Sequence, residues 1–225
     1  MNLVLHQHPF ASYCQKVLIA LYELELPFTS HLVDGVEGRE ALARLWPMAS
    51  IPVLRDEDAG LTLPESTTVV EHLDALAGGG RLIPADRAQA LQARLWDRLA
   101  DGHLSTPMQK IVGDRLRPDD AKDPHGVDQA HGELDLFYGV LDEHLADRPW
   151  AGGGTFSIAD CSTAPPLFYL RAIHRWDEAG HAHITRYYRD LMARPSVRRT
   201  IDDARSLREL FPLPWPDDQD ALDPA

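Results

Sequence analysis

Cysteine is scarce: the 225-residue chain carries two, Cys14 and Cys161, too far apart in sequence to build a disulfide framework. That scarcity removes the small disulfide-stapled folds and points to a reducing, cytoplasmic setting. Long apolar runs are missing too. None approaches the roughly 20 residues that span a bilayer, so no membrane partner is expected. Met1 to Phe10 has neither the charged start nor the apolar stretch of a secretory signal. Basic residues are outnumbered, 22 Lys and Arg against 35 Asp and Glu, for a net charge of -13. An acidic surface repels phosphates, which argues against a nucleic-acid partner. Part of the excess is local: Asp217, Asp218, Asp220 and Asp223 make residues 216–225 read as a solvated acidic tail. The pairs His6/His8 and His181/His183 lack acidic or Cys partners at a zinc spacing, so no metal is expected.

What is present is globular. At 44% hydrophobic and 25% charged residues the chain can form a packed core, in one large domain or two small ones. The first part alternates short strands with helices. Leu3-Val4-Leu5 is a strand-length apolar run ended at His8-Pro9. Val17, Ala20, Leu21 and Leu24 then mark one helix face. Phe28 to Val33 reads as a second strand, and Glu40 to Trp46 as a short helix that Pro47 must end. Ile51 to Leu54 and Leu61 to Leu63 flank a polar, Gly-ended turn, which is a hairpin pattern. Val69, Val70, Leu73, Leu76 and Ala77 mark another helix. The order is β-α-β-α-β-β-α, with the first two strands parallel because a helix joins them.

Gly78-Gly79-Gly80 stops that pattern, and residues 79–86 read as a linker between a first domain, 1–78, and a second, 87–215. The second reads as helices throughout. Asp86 with Gln89 suggests a cap for a helix through Leu91, Leu95 and Leu99. Leu134, Phe137, Leu141 and Leu145 mark another helix. Ile184, Tyr187, Tyr188, Leu191 and Met192 mark a third, and Val197, Ile201 and Ala204 a fourth. Ser157 and Asp160 have the spacing of a capping box, worth about 1 kcal/mol at the Ser. Pro165 and Pro166, further along, each delete a backbone donor and predict a kink or break.

Four segments then carry a resemblance: Ser12-Tyr13-Cys14-Gln15-Lys16-Val17, Ser50-Ile51-Pro52-Val53-Leu54, Glu65-Ser66 and Phe156-Ser157-Ile158-Ala159-Asp160. In this order and spacing, over nearly the whole chain, the sequence resembles a glutathione transferase of the serine type. The resemblance implies an α/β thioredoxin-like N-terminal domain, an all-α C-terminal helical bundle and a homodimer. It implies glutathione as co-substrate, with its thiol at the start of the first helix. Ser12 is then the catalytic donor to the sulfur. The Ile51–Pro52 bond is cis, and the Ile51 backbone pairs with the cysteinyl part of the tripeptide.

Glu65 and Ser66 sit before a helix, where a carboxylate and a set of amides suit the paired charges of a γ-glutamyl group. Ala49-Ser50 departs from the Gly-Lys of many relatives, which leaves Arg39 as the candidate cation for the glycyl carboxylate. Phe10, Tyr13, Leu104, Met108, Phe211 and Trp215 are the candidate apolar wall for a small electrophile of unspecified identity. Two other readings stand beside this one. The fold can serve as a glutathione-binding scaffold without turnover, or Cys14 can make the chain a glutathione-dependent thiol-disulfide reductase.

Overall fold

A computed structural model describes residues 1–210. β1 (Leu3–Gln7) alternates buried and half-buried side chains, with Leu3, Leu5 and Gln7 inward. It leads into α1 (Ser12–Glu23) and then β2 (Thr29–Leu32), which pairs with β1 in parallel, Val4 opposite Thr29. α2 (Gly35–Leu45) begins where the Asp34 carboxylate accepts from the Gly35 amide at 2.7 Å, and its last turn meets Trp46 just before Pro47. β3 (Val53–Asp56) runs antiparallel to β1, with Leu5 opposite Leu54, and the hairpin closes with β4 (Leu61–Pro64). The sheet order is β2-β1-β3-β4, and α3 (Ser66–Leu76) follows.

Gly78, Gly79 and Gly80 all have positive φ, a conformation that stops α3 at little cost only for glycine. The segment after them is tied down rather than loose. The buried Asp74 carboxylate accepts the amides of Gly80, Arg81 and Leu82 at 3.0, 3.1 and 2.7 Å. The Leu82 carbonyl in turn receives the Ile158 amide. α4 (Arg87–Ala100) starts on Asp86, whose side chain accepts from the Gln89 amide. A π-helical turn (Asp101–Ser105) joins α4 without interruption to α5 (Thr106–Arg115). α6 (Pro124–His144), α7 (Ile158–Ile173), α8 (Ala182–Met192) and α9 (Pro195–Ala204) complete the helical part.

α7 is the central pillar. Every residue from Ile158 to Leu167 is buried, and the helix packs against both α1 and α4. Its start is the capping box expected from sequence: Ser157 accepts from the Ala159 amide, and Asp160 accepts from the Ser157 amide at 2.8 Å. Of the kink or break expected at Pro165-Pro166, the break does not occur, since α7 runs unbroken through both. Packing on all sides outweighs the local penalty of about 3 kcal/mol per proline. One apolar cluster joins Leu5, Val17, Val70 and Leu73 to Leu104, Leu134, Leu141, Leu167 and Leu170, so the sheet part and the helical part share a core.

The helix face expected for α4 also needs correction. Ala90, Ala93, Trp96, Asp97 and Ala100 face inward, while Leu91 and Leu95 point outward at 65% and 45% exposure. Small residues on the inner stripe let α4 approach α7 closely, which a leucine stripe would prevent.

Candidate functional site

Three cavities meet at the N-terminus of α1. The first, about 530 Å³, is lined by Tyr13, Ser50, Ile51, Pro52, Glu65 and Ser66, with Arg94, Arg98 and Asp101 from the α4 side. The second, about 520 Å³, is bounded by Phe10, Ser12, Tyr13, Ile51, Met108, Val112, Leu116, Tyr169 and Ile173. The third, about 380 Å³, lies over His8, Phe10, Asp34, Arg39, Ala49 and Ile51. Ile51 borders all three, and Tyr13 borders the first two.

Ser12 is the first residue of α1, and Ala11 before it offers no side-chain cap. The Ser12 hydroxyl is therefore not spent as an N-cap. It lies at the positive end of the helix, on the floor of the apolar cavity. The loop in front of it is braced from across the molecule. Gln15 donates to Pro9 O at 2.9 Å and to the Tyr169 hydroxyl at 2.8 Å, and that hydroxyl donates to Phe10 O at 3.1 Å. Burial pushes the Tyr13 phenol above its ordinary value, and nearby Asp101 adds to this, so Tyr13 keeps its proton at neutral pH.

The Ile51–Pro52 bond is cis. Ala49 and Glu65 stand on either side of it in sequence with φ of 50° and 69°, left-handed for residues that are not glycine. Such backbone costs about 1–3 kcal/mol at each position and clusters at functional sites. Glu65, not Ser66, is the N-cap residue of α3, and its side chain caps nothing; Ser66 is the first helical residue. Ser66 therefore opens the helix rather than preceding it, and the Glu65 carboxylate remains available to the first cavity. At the third cavity, the Phe10 amide donates to His8 Nδ1 at 3.2 Å, so the neutral imidazole carries its proton on Nε2. Arg39 donates from Nε to Gly35 O at 3.3 Å and is among the residues lining the same cavity.

Family models for the "Glutathione S-transferase, N-terminal domain" and "Glutathione S-transferase, C-terminal domain" match residues 5–81 and 124–190. Glutathione S-transferase GstB of Escherichia coli K12 is 30% identical over 83% of this chain and 91% of its own length. The chain belongs to the glutathione S-transferase family. A glutathione S-transferase of Methylobacillus flagellatus KT, solved with glutathione bound, superposes with a TM-score of 0.79 at 27% identity, over 88% of this chain and 98% of that one. FtsZ-localized protein A of Caulobacter vibrioides is 26% identical over 88% of this chain and 90% of its own. The poplar glutathione transferase F1 shares the fold at a TM-score of 0.79 and 18% identity, over 92% and 99% of the two chains.

In this glutathione S-transferase family member one sequence expectation is overturned at the site, and the rival reading through Cys14 loses support. Leu104 is fully buried in the shared core and lines no wall of the apolar cavity; Val112, Leu116, Tyr169 and Ile173 stand there instead, beside Phe10, Tyr13 and Met108. Cys14 is also fully buried, and burial pushes its thiol up to about 12, which leaves no thiolate for disulfide exchange. Phe211 and Trp215 lie outside the described residues, as does the acidic tail.

One network under the first cavity gave no sequence signal. Lys16, one turn after Ser12, is buried with its Nζ 2.8 Å from Thr67 Oγ1, 2.7 Å from Asp97 Oδ1 and 2.9 Å from Asp101 Oδ2. Ser162 of α7 donates to Asp97 as well. Asp101 Oδ1 is buried with no hydrogen-bond partner among the described residues, and burial raises its carboxyl. Asp97 and Asp101 are four apart on one helix face, but nothing in that spacing names Lys16 as their partner. Among the described residues no group of three or more His, Cys, Asp or Glu is placed to hold a metal. No described helix is long and apolar enough to cross a membrane.

Proposed function

We propose that the chain is a glutathione transferase that binds glutathione across the first and third cavities and activates its thiol at Ser12. The observation that carries this is the Ser12 hydroxyl at the N-terminus of α1, uncommitted among the described residues, beside Ile51, which borders all three cavities. In this reading the Ile51 backbone pairs with the cysteinyl unit like an added strand, next to Pro52. The Glu65 carboxylate receives the γ-glutamyl ammonium, while Ser66 and the first amides of α3 receive its carboxylate. Arg39, with the Nε2 proton of His8 beside it, receives the glycyl carboxylate. The apolar cavity then holds an uncharged electrophile against Phe10, Tyr13 and Met108.

The energetics fit one donor. A free thiol with a pKa near ~8.5 is about 3% thiolate at pH 7, and lowering it by ~2 units requires about 2.7 kcal/mol. A hydrogen bond to a charged acceptor contributes roughly 1.5–3 kcal/mol and a helix N-terminus ~0.3–1. Ser12 acts as donor to sulfur rather than as nucleophile, so no His-Asp relay is required.

A scaffold role is the second reading, favoured by a relative named for a cellular location rather than an activity. An ultraviolet titration of glutathione against the protein from about pH 5 to 9 separates the two. Thiolate absorbance near neutral pH that is lost in Ser12→Ala supports the transferase. Saturable binding in a calorimeter without thiolate supports the scaffold, and no binding sinks both.

A further inference from the structure

His174 ends α7 and is gripped by one face of α6. His131, Asp135 and Tyr138, spaced at helical intervals, all reach it: His131 Nδ1 lies 3.0 Å from His174 Nδ1, Asp135 Oδ1 lies 2.7 Å from His174 Nε2, and the Tyr138 hydroxyl donates to His174 O at 2.6 Å. The residue before it, Ile173, and Tyr169 one turn earlier form one wall of the apolar cavity. The opposite wall is Met108, Val112 and Leu116, on or just after α5, and α5 packs against α6. The grip on His174 therefore connects the two walls of that cavity through α6.

The hydrogen bonds fix how many protons this grip tolerates. Asp135 accepts, so His174 Nε2 carries a proton. When both rings are neutral, His174 Nδ1 is a bare acceptor and His131 Nδ1–H donates to it. One added proton on the pair is also accommodated, because one Nδ1–H still meets one bare Nδ1. A second added proton is not, because two Nδ1–H groups then face each other at 3.0 Å.

We infer that His131 and Asp135 are positioning residues that act through His174 to hold the α7 wall of the electrophile cavity, and that the second proton on the His131–His174 pair releases that wall. The role assigned to the cavity rests on the transferase reading; the latch itself does not. Burial and the facing His174 hold the His131 imidazole below its ordinary value, while Asp128 and Asp135 on its own helix oppose them. The charged groups near the far side are Arg171 and Arg175, both bound to Glu178, and His181, whose ring meets Tyr138 edge-on. Acidification therefore loads His131 against burial and the facing His174 rather than as a solvated histidine.

The test compares the full chain with His131→Asn, which keeps a hydrogen-bonding side chain but not the titration. Steady-state kinetics with glutathione and 1-chloro-2,4-dinitrobenzene run from pH 7.5 to 5.5. The expected result is a several-fold rise in KM for the electrophile on acidification, with KM for glutathione unmoved, and a flat electrophile KM in His131→Asn. An equal rise in the variant, or glutathione KM moving in step, overturns the inference. Amide hydrogen exchange over residues 170–181, corrected for the intrinsic pH dependence, is read in parallel. Faster exchange on acidification in the wild type but not in the variant supports the latch even where turnover is absent, in which case the transferase reading alone fails. Exchange that does not change with pH, or changes equally in both, overturns the latch whatever the kinetics show.

Discussion

Lys16 holds its ammonium between the carboxylates of Asp97 and Asp101 at 2.7 and 2.9 Å, nearly out of contact with water. Removing it by Lys16→Met leaves two buried carboxylates facing each other without a counter-ion. A broken buried pair of this kind costs about 3–5 kcal/mol, to be read from the urea midpoint at constant slope. A second expectation at this scale concerns the thiols. Cys14 and Cys161 are both fully buried, so neither reacts with a thiol reagent until denaturant unfolds the chain; labelling of Cys14 in native buffer would restore the reductase reading. Ser12, Ile51 and Glu65 were named through the family resemblance, and each stands at a strand end or a helix start that local grammar also marks. The partners of Lys16 were not, because Thr67 lies 51 residues away on α3 and Asp101 lies 85 residues away at the end of α4. Leu104 was misplaced for a related reason: helical spacing says that a residue faces inward, not whether inward is packed core or open cavity.

Among the elements, α7 makes the clearest case for local signals deciding structure. Its capping box satisfies two end amides at once, and Ser157→Ala should destabilise the fold by about 1 kcal/mol, visible as a lower denaturation midpoint. Asp160 gives this element a pH signature. Burial raises its carboxyl from 3.8 to about 6, despite the donors from Tyr187, Ala151 and Ser157. The folded state then holds the proton more tightly than the unfolded chain. The contribution of this group is fully present below 3.8 and is lost as pH rises through 6. Asp160→Asn should remove that component, so the difference in slope of stability against pH between variant and wild type over this window is the measurement. The proline pair shows the opposite balance, since a strong local breaker yields to burial on every side. The π-helical turn at Asp101–Ser105 had no sequence mark at all, although it sets Asp101 beside the first cavity while Leu104 enters the core.

For the molecule as a whole, the alternation of strands and helices before Gly78 and the helical periodicity after Asp86 conveyed the architecture, because period and punctuation survive without knowledge of contacts. Which faces turn outward did not follow in the same way. Leu91 and Leu95 occupy the outer face of α4 at 65% and 45% exposure, unusual for a helix that buries alanines inward. The homodimer that the family resemblance implies is expected to use this face. Leu91→Glu with Leu95→Glu should shift the sedimentation coefficient to that of a monomer, and an unchanged value places the contact elsewhere.

The seam between the two halves closes on buried charge and one continuous core, and Asp74 pins the crossing chain by three amides. Swinging one half away from the other would expose all of this at once, so the cleft has no inexpensive hinge. Its mouth behaves as a sieve of set mesh rather than a jaw. A ligand too wide for that mouth is therefore expected to be refused rather than enclosed.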